Sequence, residues 1–392
     1  MKRYLPLVLI LASLVYVSMT GFQCGSAETT SAKLYMQQKQ WEKAQESLLK
    51  EIAKNEKNED AWYLLGAVRY ELRDYRGMND AYTRALALGT QHKKEIDNNR
   101  IAIWAQKYNE GVGLYNKGKD DPSAYDKAIE AYDIAILMAP DSSGAYYVKA
   151  LAHYAKKDFQ KTKQELESAM KKKPDFVEAG VFLGQLYFSD AAAKLEQKDE
   201  AGAKADFQRA VALYEMAYQK DPGNSDNITR LIEAYERAGQ SDKALSLTRD
   251  AVAKDPNNKV YRYAYGVFLL KQEKFGECTE QFKKAIEIDP GYGDASYNLG
   301  VAYLNWGVAL KAESDKKAEA ERKANKGKDV KEDLTYKEKF KASVPYLEKA
   351  AEERTEDSAL WQSLGKVYMN LNMKDKAEAA FKKFDELSKA VK

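Results

Sequence analysis

Few side chains in this chain could do bond-making chemistry. Two histidines, His92 and His153, and two cysteines, Cys24 and Cys278, occur in 392 residues. Neither histidine stands at a metal-ligand spacing from a Cys, Asp or Glu, so no metal site is expected. There is no phosphate-cradling P-loop, no dinucleotide glycine fingerprint and no Gly-x-Ser-x-Gly nucleophile turn. Carboxylates are spread as a solvated helix face spreads them in a chain that is 31% charged. The expectation is a protein without catalytic residues, cofactor or small-molecule substrate. What the chain has in abundance is tyrosine, 27 in all. Tyrosine offers large apolar area, a hydrogen-bonding tip and little rotamer entropy to lose, which is the chemistry of holding a partner surface.

The elements that position those tyrosines recur. Trp361-x2-Leu364-Gly365-x2-Tyr368 is followed by Ala377-x3-Phe381, and degraded copies run along the chain. One half of the copy is Ala-x3-aromatic-x2-Ala ending five residues later in Pro. It appears as Ala128, Tyr132, Ala135 and Pro140, and as Ala210, Tyr214, Ala217 and Pro222. Ala244, Thr248, Ala251 and Pro256 are followed at a spacing of 34 by Cys278, Phe282, Ala285 and Pro290. The other half is Leu183-Gly184-x2-Tyr187 or Leu299-Gly300-x2-Tyr303. These residues at this period resemble the tetratricopeptide repeat, whose unit is two antiparallel helices. The resemblance implies an all-α solenoid of about nine helix-turn-helix units. They start near Gly25, Glu59, Trp104, Ser143, Val177, Ser225, Lys259, Gly293 and Ser358. Small residues at the eighth position let the helices of a pair approach closely, and a proline at the end re-aims the chain. Ile232 breaks the small-residue pattern, so unit six should pack more loosely or with a shifted crossing.

Composition agrees. Ala, Leu, Lys, Glu and Tyr dominate, only eight prolines occur, and no strand-rich stretch stands out. A repeat array also accommodates 392 residues without separate globular domains. Three units exceed the period: unit three by about five residues around Lys119 to Ala124, after a long helical approach from Gln91; unit five by fourteen near Ser189 to Gly202; and unit eight by thirty-one, about 311–341. Each addition falls between the two helices of a pair, so lengthened helices projecting as fingers are expected. The largest carries eleven Lys or Arg and eight Asp or Glu, with Lys326-Gly327-Lys328 as its turn.

In the tetratricopeptide family the first helix of each unit lines the concave wall, with positions 2, 5, 9, 12 and 13 facing the groove. Positions 5 and 12 here are Tyr63 and Tyr70, Tyr108 and Tyr115, Tyr147 and Tyr154, Val181 and Phe188, Tyr263 and Leu270, Tyr297 and Leu304. The aromatic members form a candidate groove for a protein partner, the fifth position being less often needed for packing than the twelfth. Some family members clamp a peptide carboxylate with Lys, Asn and Arg on successive first helices. The nearest candidates, Asn109, Arg230 and Asn298, are not in consecutive units, so that clamp is not expected.

Lys2 and Arg3 precede an apolar run from Tyr4 to Val17, the layout of a secretory signal. The run is short for a spanning helix, which needs about 20 apolar residues. Cys24 stands six residues after it, where bacterial lipoprotein leaders place the acylated cysteine, although Gln23 departs from their small residue. Ordinary cleavage after Ala27 is the alternative. The expected organisation is a leader at 1–24 and a repeat array at 25–392. Cys278 occupies a small-residue site and is expected to be a buried, inert thiol. The formal charge of +3, or +1 without Lys2 and Arg3, offers no basic face for nucleic acid. The chain therefore reads as an exported scaffold or adaptor of the bacterial envelope. A lipid on Cys24 would place it at the outer or another membrane, and cleavage would leave it soluble in the periplasm as an adaptor or assembly chaperone. Its partners would be envelope proteins or peptides; the alternative is a recruiting subunit for a cell-wall enzyme that contacts peptidoglycan glycan.

Overall fold

The computed structural model describes residues 26–324 and 334–390. It divides into two compact units, one ending at Lys172 and the other beginning at Lys173. The first unit holds α1 (Ala27–Gln37), α2 (Trp41–Lys54), α3 (Glu59–Glu71), α4 (Tyr75–Leu88), α5 (Lys93–Lys117), α6 (Ala124–Met138), α7 (Ser143–Ala155) and α8 (Phe159–Lys172). The second holds α9 (Val177–Glu196), α10 (Glu200–Lys220), α11 (Ser225–Arg237), α12 (Ser241–Lys254), α13 (Lys259–Lys271), α14 (Phe275–Ile288), α15 (Gly293–Ala324), α16 (Thr335–Glu353), α17 (Ser358–Asn370) and α18 (Lys374–Ala390). Among the described residues there is no strand. Within each unit every odd helix packs on the even helix that follows, and successive hairpins stack.

The turns explain why the hairpins form. Most first helices end in a three-residue turn whose middle residue is left-handed: Lys39, Arg73, Lys157, Lys198, Gly239, Glu273 and Asn372, with φ from 55° to 76°. In the α3–α4 turn the Arg73 amide donates to the Tyr70 carbonyl and the Asp74 amide to that of Arg69, each at 2.9 Å. This closes the last helical carbonyls before the chain reverses. Asn58, Asn224, Asn258 and Asp357 cap the following units, each accepting a backbone N–H two or three residues on. Prolines stand just beyond the ends of α6, α10, α12 and α14, where a helix can no longer continue.

The repeat signature has a direct packing cause. A methyl group placed on Gly184, Gly266 or Gly365 would lie 2.7, 2.6 and 2.7 Å from the ring of Tyr214, Phe282 and Phe381, and Gly66 and Gly111 bear equally closely on Tyr82 and Tyr132. Where the first-helix residue is larger, the opposite one is smaller. Ala32 and Ala150 stand opposite Leu48 and Leu166, and Ile232 opposite Thr248, all buried. The α11–α12 pair is correspondingly less intimate than α13–α14, as Ile232 implied. The fourth residue of a unit locks the preceding turn: Trp62, Tyr146, Arg262 and Trp361 each donate to the carbonyl six residues back, at 2.8 to 3.4 Å.

Seven of the nine expected starts coincide with the first residue of an odd helix. Two differ. The first described helix begins at Ala27 rather than Gly25, and α5 begins at Lys93, eleven residues before Trp104. Ile96 and Ile103 bury this extra segment against Met78 and Tyr82, while Asn99 donates to the Tyr82 hydroxyl at 3.1 Å. Trp104 consequently has no turn behind it and donates to Ser142 Oγ instead.

The additions behave differently from one another. In unit five α9 and α10 have 20 and 21 residues against 13 and 14 in α13 and α14, so each limb gains seven, or about two turns, and the tight turn at Lys198 is kept. Seven residues return to the same helix face. Accordingly Ala191 and Phe207 repeat the Gly184–Tyr214 pairing one heptad outward, and Gly307 against Phe340 repeats Gly300 against Leu347. In unit eight α15 extends to Ala324 and α16 begins at Thr335; Lys326-Gly327-Lys328 lies outside the described residues. The expected finger in unit three is wrong. Its extra residues form the connection 118–123, where Pro122 blocks helix and the Asp121 carboxylate accepts from the Ser123 amide and hydroxyl.

Candidate partner-binding surfaces

In the first unit the fifth-position tyrosines rest on their own hairpins. Tyr63 is half-buried and stacks on His92, with ring centroids 4.0 Å apart and planes 2° from parallel, and lies 6.0 Å from Tyr82. His92 Nε2 is 2.6 Å from Asp60 Oδ1, which fixes the imidazole under the tyrosine. Tyr108 lies between Trp104 and Tyr132, at 5.6 and 6.2 Å, and its hydroxyl approaches Gly144 at the start of α7. Tyr147 is half-buried.

The twelfth-position residues reach further out. Tyr70 is 37% exposed and meets the edge of Tyr75, whose ring carries the Lys107 ammonium 4.9 Å from its centre. Tyr154 is 45% exposed beside Phe159. Tyr115 is half-buried against Tyr125. The twelfth position is thus the more open of the two, the reverse of the expectation. For Tyr63 and Tyr108 the cause is the neighbouring rings, His92 and Tyr82 for the first and Trp104 and Tyr132 for the second, against which the fifth-position side chain packs.

In the second unit Phe188 packs edge-on against Phe207 at 5.0 Å. Tyr263 lies 6.0 Å from Phe282 and 5.2 Å from Tyr292, and its hydroxyl accepts from Asn298 Nδ2 at 2.9 Å. Tyr297 is half-buried under the Arg354 guanidinium, which also pairs with Asp294. Val181 and Leu270 are half-buried, whereas Leu304 is closed into the core. Burial raises the hydroxyl pKa of Tyr63, Tyr70, Tyr115, Tyr263 and Tyr297, so near neutral pH these tips are uncharged donors and acceptors.

Of the proposed clamp residues, Asn109 is exposed, Asn298 is engaged with Tyr263, and Arg230 lines a cleft beside Phe188. Cys278 is buried, its Sγ 3.3 Å from the Phe275 carbonyl, and burial pushes the thiol up to about 12. Cys24 lies outside the described residues. Among the described residues no helix is long and apolar enough to cross a membrane. The second-helix aromatics Tyr132, Tyr214, Phe282 and Phe381 are marked by the repeat spacing, but their contact with the fifth-position rings is not, and the open cleft at Arg230 has no sequence signal.

Two tetratricopeptide models match the chain. The cilia and flagella-associated protein 70 middle TPR-like domain covers residues 228–389, and a tetratricopeptide repeat model covers 29–92 and 123–161. The mouse protein O-mannosyl-transferase TMTC3 is 26% identical over 151 residues, 38% of this chain and 16% of that protein. The Dictyostelium discoideum DnaJ homolog subfamily C member 7 homolog is 25% identical over 165 residues, 40% of this chain and 30% of that protein. The chain thus spans less than a third of either relative. Outer membrane protein assembly factor BamD of Rickettsia prowazekii is 25% identical over 242 residues, with 46% of this chain and 91% of that protein covered. Among solved structures, YrrB, described as a TPR protein with an unusual peptide-binding site, has a TM-score of 0.41 at 20% identity, covering 63% of this chain and 99% of that one. MamA has a TM-score of 0.37 at 20% identity, covering 49% and 94%. Hairpin geometry and the glycine-on-aromatic signature, with family models matched at 29–92, 123–161 and 228–389, make the described residues an all-helical array of tetratricopeptide-type repeats.

Proposed function

We propose that the chain is a non-catalytic scaffold or adaptor of the bacterial cell envelope that holds other proteins on the aromatic faces of its first helices. The observation that carries this reading is the exposure of Tyr70 and Tyr154, 37% and 45%, on helices whose other large apolar residues are buried or half-buried. Aromatic surface left in water on a rigid helical wall is a ready anchor for a partner, because little entropy is lost on binding. Tyr63, Tyr108, Tyr115 and Tyr147 flank these anchors in the first unit, and Phe188, Tyr263 and Tyr297 offer a smaller aromatic area in the second.

The envelope assignment is supported by the likeness to an outer membrane protein assembly factor. It is supported too by the basic, apolar opening of the sequence with Cys24 behind it. Acylation of that thiol would hold the scaffold at a membrane, and the partners would be envelope proteins or peptides. Affinity capture from a detergent-solubilised envelope fraction, comparing the wild-type chain with a Tyr70→Ala, Tyr154→Ala variant, tests the reading. A shared set of proteins retained by wild type and depleted at least tenfold on the variant supports it. Equal capture by both would place the binding elsewhere.

A further inference from the structure

The two turns added to each limb of α9–α10 carry that hairpin past its neighbour α11–α12 and leave a step on the second unit. Two open clefts of about 410 and 530 Å³ lie along the step, and Glu233 of α11 borders both. In the larger, the added turns supply Leu195, Glu200, Ala203 and Lys204, and the end of α11 with its turn supplies Glu236, Arg237 and Gly239. The smaller is lined by Gln185, Phe188, Ser189, Tyr214 and Arg230. The Phe188–Phe207 contact joins the two.

We propose that this step binds a neutral, extended glycan, a ligand of another class than the protein partners of the first unit's tyrosines. The distribution of charge selects it. The larger cleft is bordered by three carboxylates, Glu200, Glu233 and Glu236, and by three cations, Lys204, Arg237 and Lys271; the smaller has one of each, Arg230 and Glu233. Of these only Glu236 and Lys271 pair with each other. Glu200 and Lys204 stand four residues apart with the acid first, as do Glu233 and Arg237, the arrangement that favours an ion pair along a helix. Elsewhere it is closed, as in Glu46–Lys50 and Glu280–Lys284 at 2.7 and 2.6 Å. In the cleft both couples are open, and neither they nor Arg230 make a hydrogen bond or ion pair with any described residue. Acceptors and donors are thus left side by side at almost no net charge. A phosphate would gain from the cations but meet the carboxylates, and a polyamine would meet the reverse. A sugar hydroxyl both donates and accepts, so it satisfies either sign without adding charge. The C–H faces of a pyranose match the apolar surface beneath, Leu195 at 41% exposure and the half-buried ring of Phe188. Phe188 and Leu195 are seven residues apart on α9, about 10.5 Å at 1.5 Å per residue, a span of about two or three sugar rings.

The test is isothermal titration calorimetry of the full chain with N-acetylglucosamine, cello- and malto-oligosaccharides of one to five rings, at millimolar concentration. At least one of these neutral series should bind, with affinity rising to about three rings and levelling beyond. Sulfated and aminated counterparts of the series that binds should be at least tenfold weaker. Glu233→Ala removes the acceptor common to both clefts and should weaken binding about tenfold, the worth of one hydrogen bond to a charged group, with unchanged circular dichroism. Arg237→Ala should act in the same direction, whereas Glu277→Ala, exposed on α14 and lining neither cleft, should leave binding unchanged. The Tyr70→Ala, Tyr154→Ala variant should bind glycan as the wild type does, so this site and the protein-binding surface fail separately. No heat from any neutral series, equal or tighter binding of a charged counterpart, or full binding by Glu233→Ala would overturn the proposal.

Discussion

One edge of the Phe282 ring lies against Gly266, so near that a methyl group on the glycine would stand 2.6 Å from a ring carbon. Phe282 is fully buried and cannot swing away. Replacing a helical glycine by alanine ordinarily gains up to about 1 kcal/mol, but overpacking a filled core costs about 1–3 kcal/mol. Gly266→Ala should therefore lower the thermal midpoint. Gly113, on α5 with nothing within 4 Å of an added methyl, is the control, and Gly113→Ala should raise it. Thermal melts followed by circular dichroism check both signs; a Gly266→Ala protein as stable as wild type would show that the glycine is not required by close approach.

The hairpin turns place lysine, arginine, glutamate or asparagine in the left-handed region at six positions, and glycine only at Gly239. A side chain there costs about 1–2 kcal/mol relative to an unstrained residue. Lys157→Gly should thus stabilise the first unit by roughly 1 kcal/mol, since glycine adopts this conformation freely. The check is the denaturation midpoint in urea, which should move up without a change in slope.

Burial raises the Cys278 thiol from 9.0 to about 12, so at pH 8 it is almost wholly protonated in the folded chain. In a Cys24→Ser background, a disulfide reagent should label the folded protein slowly and the urea-unfolded protein at once. The shift also fixes a sign. The folded state retains a proton that the unfolded state releases near pH 9, so this contribution to stability is present below pH 9 and is lost as pH rises towards 12. Rapid labelling of the native chain at pH 8 would contradict the burial.

Much of the architecture is legible in the residues themselves. Trp62 and Trp361 mark unit starts because the indole N–H locks the turn behind it, and glycine recurs because an aromatic ring must lie on it. The fourteen added residues of unit five are two heptads, one per limb, and so preserve the packing face. In unit three the long helical approach from Gln91 was legible and forms the start of α5, held by Ile96 and Ile103, whereas the expected finger is a connection that Pro122 already signalled as irregular. Helical phase places the tyrosines on the first helices but does not rank their exposure. That depends on rings of the second helices, Tyr82, Tyr132 and Phe282, which meet Tyr63, Tyr108 and Tyr263, whereas Tyr70 and Tyr154 stand further out.

If Cys24 carries the membrane anchor, the chain expressed with its leader should take up labelled fatty acid and fractionate with membranes, and Cys24→Ser should lose both. Two or three acyl chains hold a protein durably, at about 0.8 kcal/mol per buried CH₂. The intact mass of the mature chain discriminates: an unlipidated terminus at Glu28 would mean cleavage after Ala27 and a freely diffusing scaffold.

The central claim is that exposed first-helix tyrosines touch a partner protein, and it is tested most directly by placing a photo-crosslinking phenylalanine analogue at position 70 or 154 in the full chain. As controls the analogue is placed at Ile101 and Leu49, which are 63% and 42% exposed without belonging to the proposed surface. On irradiation of intact cells, positions 70 and 154 should yield a discrete crosslinked protein, identifiable by mass spectrometry, that the controls do not yield. The same product at equal yield from all four positions, or no product from 70 and 154, would contradict the account.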